Sequence, residues 1–125
     1  MAVVALDHVQ VAAPAGCEEE ARAFYGGLLG LSEIPKPPLL AMRGGCWFRA
    51  GSAELHVGVA DDFVPAQKAH LRLGVDTARS LHGLADRLTA AGVAVEWADP
   101  AEIDGRERFH VRDPWGNRLE FVAAT

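Results

Sequence analysis

Polar and apolar side chains alternate along four short stretches of this chain. In the first, His8 and Gln10 share one parity while Val9 and Val11 share the other. In "AELHVGV", Glu54 and His56 oppose Leu55, Val57 and Val59. In "HLRLGV", His70 and Arg72 oppose Leu71, Leu73 and Val75, and in "NRLEFV", Arg118 and Glu120 oppose Leu119 and Phe121. A period of two is that of a strand whose two faces meet different surroundings. Two other stretches repeat at three to four residues. In "CEEEARAFYGGLLG", Ala21, Phe24, Tyr25 and Leu28 form one helical stripe. Glu18, Glu19 and Glu20 fill its first turn, where the helix dipole favours carboxylates. The Gly26–Gly27 pair weakens this helix and Gly30 ends it. In "DTARSLHGLADRLTAAG", Leu81, Leu84, Ala85 and Leu88 make the stripe, with Asp76 or Thr77 as N-cap and Gly92 as the stop.

Between these lie further strand patterns. Val3–Ala13 reads as one strand, broken by Pro14, Ala15 and Gly16. "PKPP" is a loop, and "CWFRA" turns near Gly51 into "AELHVGVA". After the connector "DDFVPAQ" come "KAHLRLGV", the second helix, "VAVEW", "RERFHV", the tight turn "DPWGN", and "NRLEFVAA". The order is strand, helix, three strands, stated twice, with a weak second strand in the first half. The halves also align by position. His8 and His70 are 62 residues apart, as are Gly30 and Gly92, and His56 and Glu120 are 64 apart. This predicts an α+β fold, a single domain over 1–125 made of two βαβββ modules, about 1–61 and 66–125.

The composition narrows the function. The chain has 125 residues, half of them apolar, 23% charged, with a net charge of −5. That suits one soluble domain and argues against a nucleic-acid partner, which a basic stripe would mark. No apolar run approaches the roughly 18 residues that span a bilayer, and no signal-peptide pattern is read at the N-terminus. Cys17 and Cys46 make no disulfide framework. A reduced, cytoplasmic protein is the expectation.

The four polar parities carry the candidate chemistry. Each faces solvent or lines a cleft. Equivalent places in the two modules hold His8 and His70, and His56 and Glu120. Imidazole and carboxylate are donors for Zn, Ni, Fe, Mn or Co. Each pair joins the first and last strand of one module, so neighbouring strands would bring the two side chains together. Two modules would then supply four ligands, leaving positions open for water or substrate. Gln10 shares the face of His8. Trp47 and Phe48 are read as an aromatic wall of the pocket, Arg43 and Arg72 as partners of an anionic group, and His110 as a pocket residue.

The stretches "LDHVQVAAP", "ARAFYGGLLGL", "WFRAGSAELHVGV", "KAHLRLGV" and "RDPWGNRLEF" resemble the vicinal oxygen chelate superfamily over nearly the whole chain. That group includes glyoxalase I, bleomycin-resistance proteins, fosfomycin-resistance enzymes, methylmalonyl-CoA epimerases and extradiol dioxygenases. The resemblance implies the glyoxalase/bleomycin resistance/dihydroxybiphenyl dioxygenase-like fold, two βαβββ modules in an open, barrel-like cup, and commonly a homodimer. It implies a divalent metal on His8, His56, His70 and Glu120, with Glu120 also able to act as a base. One departure is clear. The position of His56 is glutamate in glyoxalase I and glutamine in the epimerases, and the asparagine that helps hold glutathione is replaced by Ala60. The implied activity is that of a glyoxalase-like lyase or isomerase on a small oxygenated metabolite or xenobiotic. The alternatives are a non-catalytic protein that sequesters an antibiotic, or a fosfomycin-type transferase.

Overall fold

The computed structural model describes residues 2–102 and 105–124. The chain divides into two compact units, Met1–Pro65 and Ala66–Thr125. Each holds one four-stranded mixed sheet and the helical segment that packs on it.

In the first unit the strands are β1 (His8–Ala13), β2 (Ser32–Ile34), β3 (Cys46–Ala50) and β4 (Ala53–Val59), in the order β1-β4-β3-β2. β1 runs parallel to β4, and the other pairs are antiparallel. The first strand is shorter than the apolar pattern predicts, because residues before His8 lie outside the ladder. The first helix also differs from expectation. α1 (Glu18–Ala21) gives way to a π-helical segment, Arg22–Leu28, in which the Leu29 N–H reaches the Phe24 carbonyl five residues back. The two glycines near its C-terminal end, Gly26 and Gly27, are poor α-formers and offer no side chain to hold the tighter turn. The wider turn still buries Ala21, Phe24 and Tyr25, and Tyr25 packs on Phe48 at 6.0 Å. The expected loop at Pro35–Pro38 runs into a one-turn helix, α2 (Pro38–Ala41), with proline in its first turn where no N–H is needed.

The second unit repeats the arrangement. β5 (Leu71–Val75), β6 (Glu96–Trp97), β7 (Arg108–Arg112) and β8 (Arg118–Ala123) take the order β5-β8-β7-β6. α3 (Ala78–Ala90) is capped by Thr77, whose hydroxyl accepts the Ser80 N–H at 3.0 Å. Gly92, with φ +85°, ends it, and the Val93 N–H returns to the Leu88 carbonyl. Leu81, Leu84, Ala85 and Leu88 are buried, and Phe109 and Phe121 pack at 5.1 Å within the same unit.

The registers of the two sheets correspond. Gln10 pairs with His56 and Trp47 with His56 in the first; Arg72 pairs with Glu120 and His110 with Glu120 in the second. The duplication read from spacing is therefore also a repeat of hydrogen-bond pattern. No described helix is long and apolar enough to cross a membrane.

Candidate functional site

The turn before β8 sets the second unit's polar face. Both Asp113 and Asn117 are buried, an expensive placement unless every polar atom finds a partner. Asp113 Oδ1 accepts the N–H groups of Trp115 at 3.0 Å and Asn117 at 2.8 Å, and Asp113 Oδ2 accepts the Asn117 amide at 2.9 Å. Gly116, with φ +96°, completes the turn. This clamp fixes the β7–β8 register, which puts His110 opposite Glu120 and Arg112 opposite Arg118.

Glu120 lies on the face away from Leu119 and Phe121, yet it is only 5% exposed. Its two oxygens have different company. Oε1 faces His70 Nε2 at 3.1 Å and His110 Nε2 at 3.4 Å. Oε2 faces Arg108 at 3.4 Å and Arg72 at 3.6 Å. Burial alone would raise the Glu120 pKa. The hydrogen bond from His70, with His110, Arg108 and Arg72, outweighs it and holds the carboxyl below its ordinary range. His110 is pushed below the usual imidazole value, first by burial and then by the Arg118 charge.

The ring of His70 carries a further constraint. Its Nδ1 lies 3.0 Å from the Lys68 carbonyl, which can only accept, so Nδ1 bears a proton. With Nδ1 so occupied, the 3.1 Å contact to Glu120 is a hydrogen bond only when Nε2 carries a second ring proton, and a metal ion between the Nε2 lone pair and the carboxylate could take that proton's place. Donor atoms of His70, His110 and Glu120 all lie within 4.8 Å of one another. A backbone carbonyl orienting the far side of an imidazole is the usual support of a ligating histidine. The donor set thus fits a divalent ion. It lines a cleft of about 410 Å³ with Lys68, Glu96, Trp97, Ala98, Glu102, Arg108 and Arg118.

The first unit gathers its own polar group. His56, 4% exposed, is sandwiched between the His8 ring at 4.2 Å and the Trp47 indole at 3.9 Å, all close to parallel. Its Nε2 donates to Glu54 Oε1 at 2.9 Å, which leaves Nδ1 as the lone pair. His8 is more open, with Nδ1 3.1 Å from Asp7. Gln10 is exposed beside Gly58, where an added Cβ would meet its side-chain amide at 2.6 Å.

The predicted pocket residues divide accordingly. Arg72 and His110 touch Glu120, and Trp47 stacks on His56. Phe48 needs correction as a pocket wall: it is fully buried on the opposite face, against Tyr25. Adjacent residues in a strand point to opposite faces, so Trp47 and Phe48 cannot share one wall. Arg43 is exposed in the turn after α2, with no side-chain partner among the described residues. Arg108 and Arg118 join the cleft in addition to the predicted pocket residues. Both could have been found by counting parity, since Arg108 stands two residues before His110 and Arg118 two before Glu120. Arg108 is buried, spans Glu102 and Glu120, and keeps an Nε without a partner.

Comparison with known proteins adds a lineage to this geometry. The model of the Glyoxalase/Bleomycin resistance protein/Dioxygenase superfamily matches residues 5–121. A glyoxalase family protein from Bacillus anthracis is 48% identical, with 98% of this chain and 97% of that one covered at a TM-score of 0.89. Lactoylglutathione lyase from Agrobacterium tumefaciens is 21% identical, covering 99% and 96% at a TM-score of 0.75. The genomically encoded fosfomycin resistance protein FosX from Listeria monocytogenes is 14% identical, covering 98% and 95% at a TM-score of 0.79. These last two share the fold. No curated protein matches the chain.

Proposed function

Because the chain belongs to the Glyoxalase/Bleomycin resistance protein/Dioxygenase superfamily, we propose that it is a metal-dependent enzyme of lyase or isomerase type acting on a small oxygenated molecule. The observation that carries this reading is the meeting of His70, His110 and Glu120 on one cleft wall, within 4.8 Å. His70 and Glu120 would hold the ion, with His110 beside them, and Zn, Ni, Fe, Mn and Co all accept such donors. When bound, a divalent ion supplies Lewis-acid polarisation of a substrate oxygen.

The chain's own residues have separable roles. Arg108 and Arg72 hold Glu120 Oε2, so Oε1 stays turned toward the two imidazoles. The Lys68 carbonyl fixes the His70 tautomer. Glu120, kept ionised by these neighbours, would serve as a ligand through Oε1, and would take up a substrate proton only by leaving the ion. The 410 Å³ cleft suits a small molecule.

The test is metal analysis of the purified protein after incubation with Zn, Mn, Ni, Co or Fe(II) and dialysis. Stoichiometric metal is expected in the wild type, with its loss in His70→Ala and Glu120→Ala. His8→Ala and His56→Ala measure whether the first unit's imidazoles contribute as well. A wild type that retains none of the five ions would remove the reading. Small-molecule binding that survives both ligand substitutions would instead favour a non-catalytic sequestering protein.

A further inference from the structure

The two units differ at one register position beside the candidate site. In the first sheet Arg49 lies opposite Glu54, and the two form an ion pair at 3.4 Å. Two residues beyond Glu54 comes His56, paired with Trp47. In the second sheet the same step holds Arg112 opposite Arg118, two residues from the His110–Glu120 pair. Like charges directly opposite one another destabilise a sheet. Arg112 is drawn off, donating to the Gly116 carbonyl at 3.1 Å. Arg118 is half-buried, lines the cleft, and has no ion-pair partner among the described residues.

Lys68, exposed, lines the same cleft and forms no ion pair among the described residues. The remaining charged groups of the cleft pair mostly with one another. Arg108 pairs with both Glu102 and Glu120, at 3.5 and 3.4 Å, one cation between two carboxylates. Glu96 is the one cleft carboxylate without a cation among the described residues. The cleft-lining charges balance as a whole, Lys68, Arg108 and Arg118 against Glu96, Glu102 and Glu120, but they are unevenly placed: the carboxylates Glu102 and Glu120 sit on Arg108, Arg118 and Lys68 are left unpaired, and a divalent ion on Glu120 would make the wall positive.

From this arrangement we infer that the substrate is a small organic acid whose oxyanion group sits on Arg118 and Lys68. Arg118 is then a specificity-determining residue. It offers a planar pair of donors to a carboxylate or phosphate, with Lys68 as a mobile second charge. The inference names the substrate class of the site proposed above and rests on that reading for its metal.

The test is isothermal titration calorimetry of the full-length, metal-loaded protein with inorganic phosphate and with glycolate, using glycolamide as the uncharged control. Both anions should bind more tightly than glycolamide. Arg118→Gln should weaken them by at least about tenfold, the scale of one lost charge-assisted hydrogen bond. Lys68→Met should weaken them by a smaller factor and Arg118→Lys should restore part of the loss, while metal content stays at the wild-type level. The ratio of phosphate to glycolate affinity tells which acid group the site prefers. The inference is overturned if neither anion outbinds glycolamide, or if Arg118→Gln binds both as the wild type does. The same titrations on EDTA-treated protein separate the two readings. Arg118-dependent phosphate binding without metal upholds the anion site whatever the metal analysis gives, whereas stoichiometric metal with Arg118-independent anion binding removes the anion site alone.

Discussion

Single atoms decide the properties of this chain in both units. Glu18 is in the first turn of α1, where a carboxylate is expected to serve the helix dipole. Its Oε2 does more, accepting the Gly45 N–H at 2.7 Å and so tying the helix to the start of β3. Gly45 has φ +86°, and a Cβ there would lie 2.1 Å from the Val57 carbonyl oxygen, so the tie needs glycine on one side and an acceptor on the other. The hydrogen bond from Gly45 holds the Glu18 carboxyl below its ordinary pKa. The folded value being the lower, the stabilisation is full above the ordinary carboxylate range and is lost as pH falls through the folded value. Urea titrations at pH 7 and pH 3 should therefore show a larger fall in midpoint for the wild type than for Glu18→Gln; equal falls would refute the assignment. The two thiols nearby are free and buried, burial pushing Cys17 up to about 11.

At the scale of elements, the "DPWGN" turn matters most. Its residues advertise a turn in the sequence, but which atoms close it is a matter of burial. Asp113 holds two backbone N–H groups that would otherwise be stranded. Asp113→Ala should cost about 2–4 kcal/mol in denaturant unfolding, the sum expected for hydrogen bonds to a charged acceptor. It should also lower retained metal, since the β7–β8 register sets His110 against Glu120; Asp113→Asn should recover part of both. Unchanged stability in Asp113→Ala would show that the register is held elsewhere. The π-helical segment was less legible. The apolar stripe of Ala21, Phe24 and Tyr25 predicts a buried face correctly, but a stripe cannot report whether each turn closes four or five residues back. Phe48 shows the reverse error. Its aromatic character suggests a pocket, and the parity of its strand places it in the core.

For the molecule as a whole, the expected consequence of the site is thermodynamic. A ligand that binds only the native state stabilises it by mass action, about 2.7 kcal/mol at a hundredfold excess over Kd. Saturating Zn should raise the wild-type Tm by several degrees. The rise should be absent in Glu120→Ala, and a wild-type Tm indifferent to metal would count against the site. The amino-acid order by itself determined the strand parities, the doubled βαβββ plan and the family, because periodicity and spacing are local properties that survive in one dimension. It also marked His70 and Glu120, imidazole and carboxylate on the polar parity of two alternating stretches. Only the tertiary structure decided which charges are spent and which are left over. Arg72 and Arg108 are taken up by Glu120, and Arg118 faces another arginine where the first unit pairs arginine with glutamate. The reason is that pairing depends on cross-strand neighbours and on exclusion of water, and both arise only once residues distant along the chain share a face.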